Sequence, residues 1–291
     1  MLPPFRRRRA ENIVLVTWKG IFMPETHALN PSLGVEFTHV TDPLDEKLVA
    51  RCAEALKWRG VLLIRGLNLD DEQQIALSSK LGEVVSVRGK QIFPISLDPS
   101  KNPSAEYLRG TFHWHLDGTT DDDVPVKATT LTARHVAMTG GGTEFANTYA
   151  AYENLPEQDR KRYESLRVVH SFAAAQLRAK PDPSEKELAR WRSLPEREMS
   201  LVWRRRDGRR SLVIGTTADR IVGMAPDEGR ALLDELQEWC TQERFRYTHD
   251  WQVGDFVAWD NTAILHRALP YDRSSERLLH RTTIVGDEAF G

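Results

Sequence analysis

The chain has 291 residues, 40% hydrophobic and 28% charged, which suits a soluble globular protein of one large domain or two small ones. Its 40 basic and 42 acidic residues nearly cancel, so no global field argues for a nucleic-acid or membrane partner. Cys52 and Cys240 form neither a ligand pair nor a disulfide framework, no apolar run approaches a membrane span or signal-peptide core, and the expected setting is reducing and cytoplasmic.

Residues 1–27, with the run Arg6 to Arg9, read as a flexible, solvated leader, and residues 28–291 as a single domain. In "TDPLDEKLVARCAEALKWRG", Thr41 or Asp42 can cap a helix, Pro43 suits its first turn and Gly60 ends it. A buried strand follows from Val61 to Arg65, and "DDEQQIALSSKLG" predicts a second helix closing at Gly82.

From "VKATTLTARHVAM" onward the character changes. Short runs rich in threonine, valine and aromatic residues recur: "TEFANT", "RVVHSF", "MSLVWRR", "SLVIGT", "RYTHDWQV", "DFVAWDN" and "LLHRTTIVG". Each is bounded by glycine, proline or polar turns, which favours antiparallel strands. Helices are expected at about 148 to 165, about 183 to 192 and in "APDEGRALLDELQEWCTQERF". The second arginine run, in "LVWRRRDGRRSLVIG", reads as a β-hairpin turning on the two residues Asp207-Gly208, with its arginines at the exposed end. The fold class expected is mainly β with helices (α+β): one β-sandwich or jelly roll with helices packed outside.

The segment "TFHWHLDGTT" places His113, His115 and Asp117 at alternate positions, and alternate side chains of an extended chain point the same way. His115 and Asp117 would stand about 6.6 Å apart on one face, close enough for an imidazole and a carboxylate to converge on one ion. A third ligand must come from elsewhere: His27, His39, His135, His170, His249, His266 and His280 are available besides His113. His266 has the best surroundings, after the strand and polar turn of "GDFVAWDNTAIL". Two histidines and one carboxylate on one side of an ion leave the other positions open, the pattern of non-haem Fe(II) oxygenases. In "ERLLHRTTI", Arg277, Leu279, Arg281 and Thr283 share a face. The arginines form either a solvated edge or a pair entering the barrel to grip carboxylates, for which the planar guanidinium fork is suited.

The order "WHLDG", "GGGTEFANTYAAYENL", "WDNTAILHRA", "RLLHRTTIVGD" resembles the taurine dioxygenase (TauD/TfdA-like) family of Fe(II)- and 2-oxoglutarate-dependent dioxygenases, over roughly residues 30 to 290. The resemblance implies a double-stranded β-helix (cupin-like jelly roll) and three iron ligands: His115, Asp117 and His266. It implies that Thr143 and Arg277 bind 2-oxoglutarate, and that Arg281 holds an anionic group of the substrate. Gly142 stands where the family usually has aspartate. The taurine enzyme's sulfonate-binding histidine has no counterpart in "LGEVVSVRGKQ", so taurine itself is not the expected substrate; Arg88 can supply the missing positive group. His113 is expected to be spare, on the substrate side or behind the ligands. The cofactors implied are Fe(II), 2-oxoglutarate as cosubstrate and O2. The expected partner is a small carboxylate, sulfonate or sulfate, and the expected assembly a homo-oligomer, dimer or tetramer.

Two other readings compete. "HWHLDG" fits five positions of the H-x-H-x-D-H motif of zinc hydrolases, which would make His113, His115 and Asp117 all ligands, but Gly118 removes the sixth. A non-catalytic jelly-roll binding protein would keep the fold without turnover.

Overall fold

Chain pairing starts with an antiparallel hairpin of β1 (Glu25–Asn30) and β2 (Leu33–Thr38). The computed structural model describes residues 24–86, 89–120 and 124–290, so the leader through position 23, Arg6 to Arg9 included, lies outside the described residues. Glu25 to His27, placed in the leader by sequence, are already paired in β1.

Helix α1 (Glu46–Arg59) starts later than expected, because Asp45 supplies the cap: its carboxylate accepts from Leu48 N at 2.9 Å. Asp42 instead closes a tight turn by accepting from Leu44 N, which leaves Pro43 ahead of the helix. Gly60, left-handed at φ 73°, ends α1 as expected. The fully buried β3 (Val61–Ile64) leads to α2 (Asp71–Leu81), opened by a capping box of Asp70 and Gln73.

Next come β4 (Phe93–Ile95), a 3-10 turn at Tyr107–Phe112, β5 (Ala128–His135) and β6 (Thr143–Asn147). The helix expected over 148 to 165 is two, α3 (Thr148–Glu153) and α4 (Glu157–Tyr163), because Pro156 cannot donate to a helix carried through it. After β7 (Arg167–His170), Ser171 caps a helix that the sequence reading missed, α5 (Phe172–Ala179), followed by α6 (Glu185–Arg192) and β8 (Arg197–Ser200).

The hairpin is present as β9 (Val202–Arg204) and β10 (Arg210–Leu212), and inside its last bonded pair, Arg205 and Arg209, lie three residues rather than two. Arg205 N bonds Arg209 O at 2.9 Å, and Gly208 takes the left-handed position at φ 87°. Its arginines are not all at an exposed end: Arg205 lies over the Trp203 ring and pairs with Glu288, while Arg209 lies over Tyr149. The chain closes with β11 (Ala218–Ile221), α7 (Pro226–Cys240), β12 (Arg246–His249), β13 (Phe256–Asp260), β14 (Ile264–Ala268) and β15 (Leu278–Ile284).

Seven strands form the large sheet, in the order β1-β2-β3-β13-β5-β15-β4, and β12-β6-β14 form a smaller one. Together they make the expected jelly roll. Alternation along β13 shows how the layers are built: Val257 and Trp259 join Leu63, Leu131, Phe145, Ile264 and Leu279 in a core shared by the two sheets. Phe256 and Ala258 point the other way, into a second core with Leu48, Cys52 and Leu56 of α1. Truncating the fully buried Phe145 to alanine would cost about 3–5 kcal/mol. Against this sheet α2 presents polar atoms: Gln74 accepts from Thr132 Oγ1 at 2.7 Å, and Ser78 meets Thr130 Oγ1 at 3.1 Å. Among the described residues no helix is long and apolar enough to cross a membrane.

Candidate metal centre

His115 follows the 3-10 turn and is joined to β14 by one isolated bridge rather than a regular ladder, and Asp117 stands in the turn that comes next. The bridge is reciprocal: His115 N donates to His266 O at 3.1 Å, and His266 N donates to His115 O at 2.9 Å. Two residues distant in sequence are thereby set opposite each other, with ring centroids 4.1 Å apart. Asp117 completes the group, its Oδ1 lying 3.7 Å from His115 Nε2 and 3.6 Å from His266 Nε2. One ligand atom from each of the three lies within 4.8 Å of the others. Gly118 then turns the chain away at φ 81°; a Cβ there would sit 3.0 Å from Val126 N.

The donor set fits a divalent transition metal. His115 Nδ1 is 2.8 Å from the His113 carbonyl and His266 Nδ1 is 3.3 Å from the Ile264 carbonyl, so each Nδ1 carries the proton as donor. Both Nε2 lone pairs are left facing Asp117. That carboxylate is itself anchored, Oδ2 accepting from Thr129 Oγ1 at 3.0 Å. Asn261 Nδ2 donates to the same Thr129 oxygen at 2.8 Å, and Trp259 Nε1 donates to Asn261 Oδ1 at 2.8 Å. The Trp259 ring also packs 4.7 Å from His266. The "WDN" element thus steers the aspartate and supports the late histidine. Burial, followed by the neighbouring His266, lowers His115 to about 4, against the opposing pull of Asp117. Burial pushes Asp117 up, but His266, His115 and Arg281 outweigh it and hold the carboxyl well below its usual range. Two neutral imidazoles and one carboxylate carry a single negative charge, suited to a hard-to-borderline dication with positions left open.

His113 is not one of these three. Its carbonyl orients His115, while its half-buried ring is pushed down in pKa by burial, then by Arg178 and Arg267. Three first-sphere ligands from this one segment, as the zinc-hydrolase reading requires, are therefore not what the structure brings together.

Just before β15, Arg277 is 2% exposed, with Nε donating to Gly141 O at 3.0 Å and the guanidinium 4.6 Å over Tyr271. Burial pulls its pKa down. Among the described residues no carboxylate forms an ion pair with it. Thr143, 4% exposed, lies two residues beyond Gly141. Arg281 lies over Phe93 at 5.7 Å, its buried Nε has no partner, and its charge is felt at both His115 and Asp117. Arg88 lies outside the described residues. The supporting Thr129, Asn261, Trp259 and Trp251 were missed by sequence reasoning; Trp259 and Asn261 stood in the quoted "WDN", where spacing by two was the available signal.

The model of the family described as taurine catabolism dioxygenase TauD, TfdA family matches residues 24–283. The chain is 34% identical to the alpha-ketoglutarate-dependent 2,4-dichlorophenoxyacetate dioxygenase of Burkholderia sp. (strain RASC), covering 78% of this chain and 82% of that protein. It is 30% identical to the alpha-ketoglutarate-dependent sulfate ester dioxygenase of Pseudomonas putida, covering 96% and 95%. Among solved structures, AAD-2 in complex with Mn(II) and N-oxalylglycine superposes with a TM-score of 0.78 at 27% identity, covering 92% of this chain and all of that one.

Proposed function

We propose that this chain, which belongs to the TauD, TfdA family of dioxygenases, oxidises a small organic anion that Arg281 holds beside the metal centre. The chain is an Fe(II)- and 2-oxoglutarate-dependent dioxygenase; neither the zinc-hydrolase reading nor the non-catalytic one is retained. When bound, the iron supplies oxygen activation coupled to the decarboxylation of 2-oxoglutarate to succinate and carbon dioxide, and the substrate is hydroxylated. In our reading His115, Asp117 and His266 hold the metal, and Arg277 with Thr143 grips the distal carboxylate of 2-oxoglutarate. Arg281 orients the substrate's anionic group so that a C–H bond faces the open side of the triad. Hydroxylation next to an ether or ester oxygen gives a product that falls apart, as cleavage of an aryloxyalkanoate or sulfate ester would require.

The observation that carries this reading is the buried Arg277, with the partly buried Arg281 and its unpartnered Nε four residues on, neither of which forms an ion pair with a carboxylate of the described residues. A buried cation without a counter-ion is costly, and carboxylates delivered by ligands relieve it. Phe93 beside Arg281 suits a substrate with an aromatic or alkyl body. His113 and Arg88 are assigned to the substrate side within the same proposal. So are the cytoplasmic setting, which two buried free cysteines support, and a dimeric or tetrameric state, checked by light scattering.

The test is a screen of aryloxyalkanoates, alkyl sulfates, sulfonates and neutral analogues, read by succinate release. Turnover of an anionic class that falls with Arg281→Ala is expected. A preferred neutral substrate whose KM ignores Arg281→Ala would overturn the assignment.

A further inference from the structure

Thr143 Oγ1 accepts a hydrogen bond from Trp251 Nε1 at 2.9 Å, in a buried setting. The indole N–H can only donate, and a hydroxyl has one proton and two lone pairs. Trp251 therefore occupies a lone pair and turns the Thr143 proton away from itself. No described residue accepts that proton. Arg277 is tied to Gly141, two residues before Thr143, and Arg277 and Trp251 line one cavity of about 240 Å³ with Gly141 and Asp250. The Thr143 proton is thus left without a described acceptor, and Arg277, though bonded to Gly141 O, forms no ion pair with a carboxylate of the described residues.

Trp251 is itself braced. Its ring meets His249 edge-on, centroids 4.5 Å apart at 86°. His249 Nε2 is 3.2 Å from Asp255 Oδ2, which also accepts from Arg65 Nη1 at 2.8 Å and from Gln252 N at 2.9 Å. Asp255 Oδ1 takes a longer contact from Gly66 N at 3.3 Å.

We infer that Trp251 is a positioning residue for the cosubstrate: by donating to Thr143 it fixes that hydroxyl as a donor to the distal carboxylate of 2-oxoglutarate. This rests on the reading that Thr143 and Arg277 bind that carboxylate. Without the indole N–H, the hydroxyl can rotate and spend its proton elsewhere. A merely structural Trp251 would support packing without regard to what Thr143 donates to.

The experiment is a double-mutant cycle on the full-length, Mn(II)-loaded protein, with calorimetric binding of N-oxalylglycine as the readout. Melting temperature and Mn(II) stoichiometry serve as controls of folding. Thr143→Val is expected to weaken binding about tenfold, and Trp251→Phe about three- to tenfold, as the loss of one oriented hydrogen bond predicts. The double variant should bind no worse than Thr143→Val alone, since Trp251 acts only through that hydroxyl. If Trp251→Phe does not fold, Trp251→Met fills part of the same space and likewise carries no N–H or O–H donor. Wild-type affinity in the Trp251 variant, beside weakened Thr143→Val, overturns the positioning role alone. So does an equal loss from Trp251→Phe in both backgrounds. Normal binding by Thr143→Val removes Thr143 from the cosubstrate site, and the proposal with it.

Discussion

The two sets of polar groups in the site are finished to different degrees. Around the three convergent residues each histidine Nδ1 has a carbonyl, and one Asp117 oxygen has a hydroxyl that is itself fixed by Asn261. On the cationic side Arg277 and Arg281 form no ion pair with a carboxylate of the described residues, and the Thr143 proton has no described acceptor. The first set is built to stay as it is, so that a metal binds without rearrangement. The second keeps charges in need of ligands, which makes the empty protein less stable and the occupied one selective.

Removing one of the three convergent residues should have the largest effect. His115→Ala or Asp117→Ala should abolish stoichiometric iron binding and turnover, whereas His113→Ala should retain iron, because its ring stands outside the triad. Metal analysis and the anaerobic visible band with 2-oxoglutarate compare them directly; equal loss in His113→Ala would break the distinction between ligand and support.

Next come the arginines. Arg277→Met should weaken N-oxalylglycine binding by about 2–5 kcal/mol, the scale for removing one side of a desolvated charge pair. The same change should raise the melting temperature of the ligand-free protein, because it deletes a buried cation. A variant that loses both stability and affinity would show that Arg277 is already compensated by its surroundings.

Arg281→Ala should act more narrowly. We expect the KM of an anionic substrate to rise about tenfold or more, for loss of a charge-assisted hydrogen bond, with N-oxalylglycine affinity nearly unchanged. Parallel losses of both would place Arg281 on the cosubstrate instead.

The smallest effect is a control from outside both sets. His170, on β7, is held at about 4 by burial, below the ordinary value of about 6.5. Between these values the unfolded chain binds the extra proton, so this contribution is complete above pH 6.5 and is lost as pH falls towards 4. By pH 5.5 the loss is about 1 kcal/mol. His170→Gln should flatten this part of the stability profile in urea titrations; an unchanged slope would show that His170 does not titrate as its burial implies.

The three residues that converge were legible in the sequence because alternation aims residues, and the order of four motifs narrowed the choice of the distant histidine. Arg277 and Arg281 were legible for the same reason. Their supports were harder to read. Trp251 reaches Thr143 because β12 pairs with β6, and a pairing between distant segments leaves no local periodicity. Among the helices, α5 directly follows a strand, and "FAAAQLRA" was hidden by the run "RVVHSF" whose Ser171 is in fact its cap. The arginine hairpin misled in another way: its charges suggested exposure, but Arg205 and Arg209 lie across aromatic rings, where a guanidinium packs flat.

The reciprocal bond between His115 and His266 also sets a timetable for synthesis. The ribosome delivers the first half of the centre about ten seconds or more before the second. Until β14 has paired with β6, the nascent chain can offer a metal only a histidine and an aspartate, without the backbone clasp that orients them. Iron capture is therefore a late, long-range event of biogenesis, and a chain released before β14 is translated would carry an open, metal-free barrel to the cell's quality control.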